Sequence, residues 1–348
     1  MALLACPAVK AIRNQKQSMI HQITITTGAR LHFGFLENGT NCSRQFGGAG
    51  VMVDSPGYRV VVSVDKNDVE ASTSAVLQSA QARAQRFRQT YRENAPSEFC
   101  DILSRCNVNV LTAIPAHSGL GSGTQLGLAV ATGLSLLCGE PTVDATTLAT
   151  RVGRGKRSAL GIHGFERGGF LIDGGKQGDH EIGQLLERID FPADWRFLLV
   201  TPPNPGLSGQ AELDAFASLE PMSERTTSEL REILMDSLLP AVQKVDFKTC
   251  SESLYEFGQI VGNYFAPIQG GTMACARMAE LVSEFQSRGL TGLGQTSWGP
   301  TLFALCENLE RAESLCAEFS TEERWSDCTF RIAAPLNSGA EIEVRSIS

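Results

Sequence analysis

The sequence predicts an α+β protein of about two domains, and three observations support this prediction. The chain has 348 residues, which is more than most single domains contain. Residues 107–137 have the pattern of a strand, a glycine-rich loop and a helix. In the second half of the chain, strand patterns alternate with helix patterns, which predicts a smaller layer of mixed structure.

The proline-rich stretch that begins at Pro202 is the predicted domain boundary. The first domain then covers residues 19–201 and the second covers 202–348. Residues 1–18 precede the first clear strand pattern, and their apolar and basic residues come in the wrong order for a secretion signal. We expect them to form a disordered or incidental extension.

The spacing of apolar residues predicts the individual elements. Strands are expected at 22–27, 58–64, 107–114, 196–201, 301–306 and 328–334. Helices are expected at 75–92, 126–137, 143–151, 226–245, 249–262, 272–288 and 308–318. The arginines of helix 75–92 are expected to form a solvated face rather than a binding patch.

Composition excludes several classes of partner. The net charge is −8 and there is no basic stripe, so a nucleic acid is not expected. No apolar run approaches the roughly 20 residues of a membrane-spanning helix. Ten cysteines occur without a Cys-x-x-Cys pair, which indicates reduced thiols in a cytoplasmic protein. The expected partner is therefore a small molecule.

The glycine-rich loop carries the strongest functional signal. Pro115 ends the preceding strand because it has no N–H to donate. Glycines allow positive φ and close approach of a ligand, and the N-terminus of the following helix favours an anion. The predicted phosphate-binding residues are Ser118, Gly119, Leu120, Gly121, Ser122, Gly123 and Thr124. The alternative is a tight turn that needs glycine only for packing.

Two other stretches carry candidate binding groups. Arg30 and His32 occupy alternate positions of an extended segment, so both side chains point to the same side. Arg154, Lys156 and Arg157 form a cluster of cations that could neutralise a diphosphate or a carboxylate. The alternatives are a surface arginine with a hydrogen-bonded core histidine, and an ordinary surface loop.

Several well-known motifs are missing. The chain has no Gly-x-x-x-x-Gly-Lys-[Ser/Thr] loop, no complete dinucleotide fingerprint and no His-Glu-x-x-His helix. Ser122 lies in Gly-Ser-Gly rather than in the Gly-x-Ser-x-Gly elbow of hydrolases. The paired-acid loop of ordinary phosphoribosyltransferases is also missing.

The stretch Pro115-x-x-x-Gly-Leu-Gly-Ser-Gly123 resembles the central phosphate motif of the GHMP kinase superfamily, Pro-x-x-x-Gly-Leu-Gly-Ser-Ser. Residues 28–35 and 292–300 resemble the first and the last motif of that family. The resemblance implies a GHMP-kinase-like fold. Its N-terminal domain would be like domain 2 of ribosomal protein S5, its C-terminal domain would be ferredoxin-like, and the site would lie between them.

The departures from the kinase pattern concern catalysis. The kinases carry a Ser-Gly-x-Asp segment whose Asp is the usual catalytic base, and the matching segment here is Ser158-Ala-Leu-Gly161. The second serine of the central motif is Gly123, and Thr124-Gln125 replaces the alanine that follows. A kinase needs groups that orient the hydroxyl and hold Mg²⁺, and the commonest of these is lost.

These variations together resemble one branch of the superfamily, the β-ribofuranosylaminobenzene 5′-phosphate synthases of methanopterin biosynthesis. The matching stretches are 27–34, 46–51, 154–162, 168–175, 206–212 and 294–300. The resemblance implies transfer of a phosphoribosyl group from phosphoribosyl diphosphate to 4-aminobenzoate or 4-hydroxybenzoate. Carbon dioxide and diphosphate are the other products, and Mg²⁺ and a homodimer are also implied.

The resemblance suggests a role for each candidate. The loop 118–124 would hold a phosphate of the donor, and Arg154, Lys156 and Arg157 would neutralise its charge. Arg30 and His32 would position the benzoate carboxylate or the 5′-phosphate. Asp173 would bind Mg²⁺, unless it is a turn residue. Gln295 and Ser297 would close the site from the second domain. The competing hypotheses are an ATP-dependent small-molecule kinase and a non-catalytic ligand sensor.

Overall fold

The computed structural model describes residues 20–37, 44–64, 74–140, 143–178, 181–203, 214–215 and 218–346. The extension expected at residues 1–18 and the stretch 206–212 lie outside the described residues. The strands of the described part are β1 (Ile20–Phe35), β2 (Gly48–Val64), β3 (Cys106–Thr112), β4 (Phe170–Asp173), β5 (Leu185–Ile189), β6 (Arg196–Thr201), β7 (Leu293–Gln295), β8 (Leu302–Cys306), β9 (Thr329–Ala333) and β10 (Glu341–Ser346).

The helices of the same part confirm most of the predicted positions, with ends that differ by a few residues. They are α1 (Ala75–Asn94), α2 (Cys100–Arg105), α3 (Ser122–Leu137), α4 (Ala145–Arg151), α5 (Leu160–Arg167), α6 (Glu224–Glu232), α7 (Leu239–Lys244), α8 (Phe247–Gln269), α9 (Ala276–Ser287) and α10 (Leu309–Thr321). A π-helical segment, Ile233–Leu238, lies between α6 and α7. The backbone is therefore helical throughout residues 224–244, close to the predicted helix 226–245, and Pro240 lies in the first turn of α7.

The first sheet has the strand order β10-β1-β2-β4-β5 among the described residues, and every pairing in it is antiparallel. β3 also pairs with β2, through residues 59–64 of the longer strand. β1 is much longer than the predicted strand 22–27, because it continues through a register shift at Gly28. A Cβ atom at Gly28 would lie 2.0 Å from the carbonyl oxygen of Val53, so only glycine fits at this irregularity.

Helix α3 is the central helix of the first domain. It packs against β1 and β2, and nearly all of its residues are buried, which is expected of a helix that is apolar on all sides. Gln125 is fully buried in its first turn, where its side chain accepts a hydrogen bond from Thr27 (2.7 Å) and donates one to the carbonyl of Gly161 (2.7 Å). These two bonds fix the N-terminal end of α3 relative to β1 and α5.

The second sheet has the order β7-β8-β6-β9, again antiparallel, and α8, α9 and α10 pack beside it. This arrangement corrects the predicted boundary at Pro202. β6 precedes that proline yet pairs with β8 and β9, whereas β10, near the end of the chain, pairs with β1 in the first sheet. The sheet to which β6 belongs is set by its pairing with distant strands, and the proline-rich stretch after β6 carries no information about that pairing.

Candidate functional site

The glycine-rich loop connects β3 to α3 and leaves the first turn of that helix without a side-chain cap. Gly119 and Gly121 adopt left-handed backbone angles, with φ of 79° and 73°. Gly121 occupies the N-cap position and has no side chain that could cap the first turn. The helix begins at Ser122, so its first N–H groups and the positive end of its dipole lie at the loop.

Two arginines lie against this loop. A Cβ atom built on Gly121 would lie 3.4 Å from Nε of Arg30, and one built on Gly123 would lie 3.2 Å from Nη2 of Arg154. The absent side chains therefore let both guanidinium groups approach the loop backbone. Arg30 is also anchored through its backbone N–H, which donates to the carbonyl of Leu120 (3.1 Å).

Arg30 lies in a positively charged surrounding, and not all of its side-chain donors are used. Burial, together with the positive charges of Arg157 and Arg154, lowers the pKa of Arg30 to about 10. Nε and Nη1 of Arg30 are buried and have no hydrogen-bond partner. Buried donors without partners are costly, and clustered like charges repel, so this arrangement favours binding of an anion. The structure places Arg30 and Arg154 against the loop, and Arg157 is close enough to Arg30 to lower its pKa. The binding of a phosphate by these residues stays a prediction.

His32 lies two residues further along β1 and is 1% exposed. Both of its ring nitrogens are buried without a hydrogen-bond partner, so the alternative of a hydrogen-bonded core histidine is wrong. Burial is the main cause that lowers the pKa of His32 well below its usual value, and the charges of Arg30 and Arg157 add to it. The imidazole is therefore neutral at physiological pH.

Thr296 joins three of the predicted motifs, although sequence reasoning did not single it out. Its hydroxyl accepts a hydrogen bond from the backbone N–H of His32 (2.9 Å) and donates one to the carbonyl of Gly119 (3.0 Å). The backbones of Gly119 and Gly299 are also in close contact, because a Cβ atom on Gly299 would lie 2.2 Å from Cα of Gly119. The loop of the second domain thus closes against the glycine-rich loop.

Gln295 and Ser297, on either side of Thr296, form hydrogen bonds within the protein. The side chain of Gln295 accepts from the N–H of Ala274 (2.8 Å) and donates to the carbonyl of Ser297 (3.0 Å). The backbone N–H of Ser297 donates to the carbonyl of His32 (3.0 Å). Both residues lie where the sequence placed them, at the closure between the domains, and their direct contact with a substrate stays a prediction.

The hydroxyl groups of the glycine-rich loop are partly used within the protein. Ser118 donates to the carbonyl of Pro115 (2.9 Å), and Ser122 accepts from Nη1 of Arg83 (3.2 Å). Arg83 lies on α1 and also donates to the hydroxyl of Tyr58. The expectation that the arginines of this helix only form a solvated face is therefore wrong for Arg83.

Comparisons with known proteins agree with this arrangement. The model of the GHMP kinases N-terminal domain matches residues 82–165, and the model of the GHMP kinases C-terminal domain matches residues 238–323. The chain has the GHMP kinase fold. This confirms the resemblance and the fold class that the sequence indicated.

Two curated relatives share most of their length with this chain. One is the beta-ribofuranosylphenol 5′-phosphate synthase of Methanothermobacter thermautotrophicus, which is 28% identical over 83% of this chain and 90% of its own. The protein of the same name from Archaeoglobus fulgidus is 26% identical over 92% of this chain and 100% of its own. This similarity supports the branch of the superfamily that the sequence motifs indicated.

Solved structures resemble the chain in fold. Mevalonate diphosphate decarboxylase from Staphylococcus aureus superposes with a TM-score of 0.62, at 13% identity, over 93% of this chain and 98% of its own. Homoserine kinase from Cytophaga hutchinsonii superposes with a TM-score of 0.59, at 15% identity, over 94% of this chain and 99% of its own. Identities this low show the fold alone.

Two departures from the GHMP kinase motifs pack against each other. Gly161 stands where the kinases carry the catalytic Asp, and a Cβ atom there would lie 3.3 Å from Cγ2 of Thr124 and 3.5 Å from Nε2 of Gln125. Thr124 and Gln125, which replace the usual alanine segment, therefore occupy the space beside Gly161.

Asp173 does not have the surroundings of a metal ligand. It is fully buried at the end of β4, where its carboxylate accepts hydrogen bonds from the N–H groups of Ala159 (2.6 Å) and Gly175 (2.9 Å) and from the hydroxyl of Ser158 (3.3 Å). Burial is the main cause that raises the pKa of this carboxyl group. These contacts hold the start of α5 against β4.

Mg²⁺ is usually held by one or two carboxylates together with substrate phosphates. Among the described residues there is no group of three or more His, Cys, Asp or Glu side chains that could hold a metal ion. The use of Mg²⁺ stays a prediction. Lys156 is exposed between Arg154 and Arg157, and its role in neutralising charge also stays a prediction.

Two further observations concern the remaining predictions. None of the helices in the described part of the chain is long and apolar enough to cross a membrane. The eight cysteines that fall within the described ranges are free thiols. Among them, burial raises the pKa of Cys306 to about 11, so this thiol is protonated at neutral pH.

Proposed function

We propose that the protein transfers a phosphoribosyl group from phosphoribosyl diphosphate to a para-substituted benzoate, with loss of CO₂, in methanopterin biosynthesis. The observation that carries the proposal is the group of Arg30, Arg154 and Arg157 near a helix N-terminus that has no side-chain cap, combined with Gly161 at the position that the motif comparison gives to the kinase base. The names of the relatives contain a phenol. We therefore place 4-hydroxybenzoate first as the acceptor and 4-aminobenzoate second.

The proposed chemistry suits these residues. The bond between C1′ and the diphosphate oxygen breaks, and the negative charge that develops on the diphosphate is stabilised by the arginines and by the N–H groups of α3. The ring carbon that carries the carboxylate then bonds to C1′. The bond to the carboxyl carbon breaks, CO₂ leaves, and the electron pair of that bond restores the aromatic ring. An electron-rich ring needs less help from a strong base than a hydroxyl does in phosphoryl transfer.

The experiment that tests the proposal uses the purified protein, phosphoribosyl diphosphate, Mg²⁺ and 4-hydroxybenzoate labelled at the carboxyl carbon. We expect labelled CO₂ and diphosphate in equal amounts, and neither when the donor is omitted. A parallel reaction uses 4-aminobenzoate. Failure of the wild-type protein to release CO₂ and diphosphate with either acceptor would contradict the proposal.

The second candidate is an ATP-dependent kinase, which the GHMP kinase domains favour. Radiolabelled ATP together with a panel of sugars and alcohols distinguishes the two functions. Transfer of the label to an alcohol would support the kinase. Our proposal predicts no transfer, because the carboxylate that orients the hydroxyl is replaced by Gly161. The homodimer implied by the resemblance stays a prediction, which the molecular mass in solution would test.

A further inference from the structure

A narrow pocket lies between β1 and α8, next to the arginines. A water-sized sphere can occupy about 30 Å³ of it, and the unfilled space comes to about 460 Å³ when its mouth and the adjoining solvent are included. Its apolar wall is formed by Phe35, Val261, Phe265, Met273 and Trp298. Trp298 is held in place because its ring nitrogen donates to the side chain of Gln269 (3.2 Å) and its ring packs on Phe265 at 4.8 Å between centroids.

His32 lines the end of this pocket that adjoins the arginines. Among the described lining residues, it is the one whose buried side-chain atoms lack a hydrogen-bond partner. Its ring packs on Phe35, with 4.7 Å between the ring centroids. A neutral imidazole in such a place costs free energy unless another molecule supplies a hydrogen bond. The pocket therefore combines an apolar body with one polar group, as small-molecule sites usually do.

We propose that this pocket binds the aromatic ring of the acceptor, and that the carboxylate-bearing edge of the ring faces His32. The inference rests on the proposed function. The reacting carbon must face the donor sugar, and the arginines that would hold the diphosphate begin two residues from His32, at Arg30. The opposite edge of the ring then points towards Phe265 and Trp298 on the second-domain side.

The relative positions of the arginines and the pocket also fit the stereochemistry of the proposed reaction at C1′. The diphosphate of the donor is on the α face of the ribose, and the relatives are named for a β product. The new bond therefore forms on the face opposite the diphosphate. A ribose placed between the arginines and the pocket would turn its α face, with the diphosphate, towards the arginines and its β face towards the pocket.

Gly258 provides a way to fill the pocket without disturbing its walls. It lies inside α8 and lines the pocket, and a Cβ atom there would meet no neighbouring atom closer than 3.8 Å. In contrast, a Cβ atom on Gly262 would lie 2.4 Å from the carbonyl oxygen of Thr272. Leucine is also a better helix former than glycine. Gly258→Leu is therefore expected to fold and to occupy part of the space for the ring.

The test compares Gly258→Leu with Asn263→Leu, which places the same side chain on an exposed position of the same helix. We expect Gly258→Leu to raise the KM for 4-hydroxybenzoate at least tenfold, while the KM for phosphoribosyl diphosphate changes less than threefold. Asn263→Leu should leave both values within twofold of wild type. An unchanged acceptor KM in a folded Gly258→Leu protein would overturn the inference.

A second variant tests the polar end of the pocket. His32→Leu removes the imidazole, and we expect a tenfold or larger rise in the acceptor KM that His32→Gln partly reverses. Equal acceptor KM values in wild type and His32→Leu would overturn the assignment of His32. Failure of the proposed function is a different result, since the wild-type protein would then release no diphosphate with either benzoate.

Discussion

Two groups of arginines in this protein have opposite surroundings. On the outer face of the second domain, Arg288 contacts three carboxylates, those of Glu284, Glu318 and Glu322, each at 2.6 Å. Arg324 contacts two of the same acids at 2.7 Å. Hydrogen bonds from these arginines lower the pKa of Glu284 to about 2. Every charge in this network has a partner within the protein.

Arg30 at the glycine-rich loop has different surroundings. It lies near Arg154 and Arg157, its pKa is lowered rather than raised, and two of its nitrogens have no hydrogen-bond partner. Arg288 and Arg324 therefore use their donors within the fold, whereas Arg30 keeps donors that the proposed function assigns to a ligand.

The largest effect is expected when the buried member of the loop group is neutralised. Arg30→Gln should lower kcat/KM for phosphoribosyl diphosphate at least a hundredfold, because it removes a charged donor from the leaving diphosphate. Release of diphosphate measures this. Arg324→Gln, in the balanced network, is the matched control and should change kcat/KM less than twofold. Similar losses in both variants would mean that the two groups do not differ in function.

A smaller effect is expected at Arg83, which positions the loop through Ser122. Arg83→Gln should raise the donor KM about tenfold and change kcat less than threefold, because the hydroxyl of Ser122 loses a charged donor. Arg86→Gln, three residues along the same helix and exposed, is the control. If kcat falls and KM does not change, Arg83 acts in some way other than positioning the loop.

The two groups should also respond oppositely in the absence of ligand. Arg30→Met removes a buried charge without hydrogen-bond partners for its Nε and Nη1, so we expect the free energy of unfolding to rise by about 1 kcal/mol. Arg288→Met breaks a largely exposed network and should lower it by about 1 kcal/mol. Chemical denaturation of the ligand-free variants measures both values. Destabilisation by both substitutions would contradict the difference in surroundings between Arg30 and Arg288.

The smallest expected effect concerns acid stability. The pKa of His32 in the folded protein lies well below its usual value, so the unfolded chain binds more protons as the pH falls below about 6.5. Stability contributed by the neutral ring is therefore present above that pH and is lost as the pH falls. Between pH 7 and 6, wild type should lose about 0.7 kcal/mol more than His32→Gln. Equal losses in denaturation at the two pH values would show that His32 does not titrate in this way.

The local parts of this fold could be predicted from the sequence. The strand, loop and helix at 107–137 are confirmed, and the predicted helix 143–151 begins after Asp144, whose carboxylate accepts from the N–H of Thr147 (2.8 Å). Such features depend on residues a few positions apart. β6 lies in the second sheet and β10 in the first because of pairings between residues more than 100 positions apart, such as Leu198 with Ala304 and Ile25 with Ile342. No local pattern reports these pairings.

The site shows the same limit. The glycines and the cationic residues could be recognised in separate stretches of the sequence. Their positions in space, however, are fixed by residues of common types, which do not stand out in the sequence. The hydroxyl of Thr296 connects the glycine-rich loop to β1. Arg83 donates to Ser122 from α1, a helix whose arginines were expected to face the solvent. The role of Gly123 also became clear only in space, where its missing side chain makes room for Arg154.

Calorimetric titration with inorganic diphosphate tests the central claim most directly. We expect saturable binding to the wild-type protein, affinity at least tenfold weaker in Arg30→Gln and in Arg154→Gln, and unchanged affinity in Arg324→Gln. Equal affinity of wild type and both loop variants for diphosphate would show that these arginines do not bind the donor.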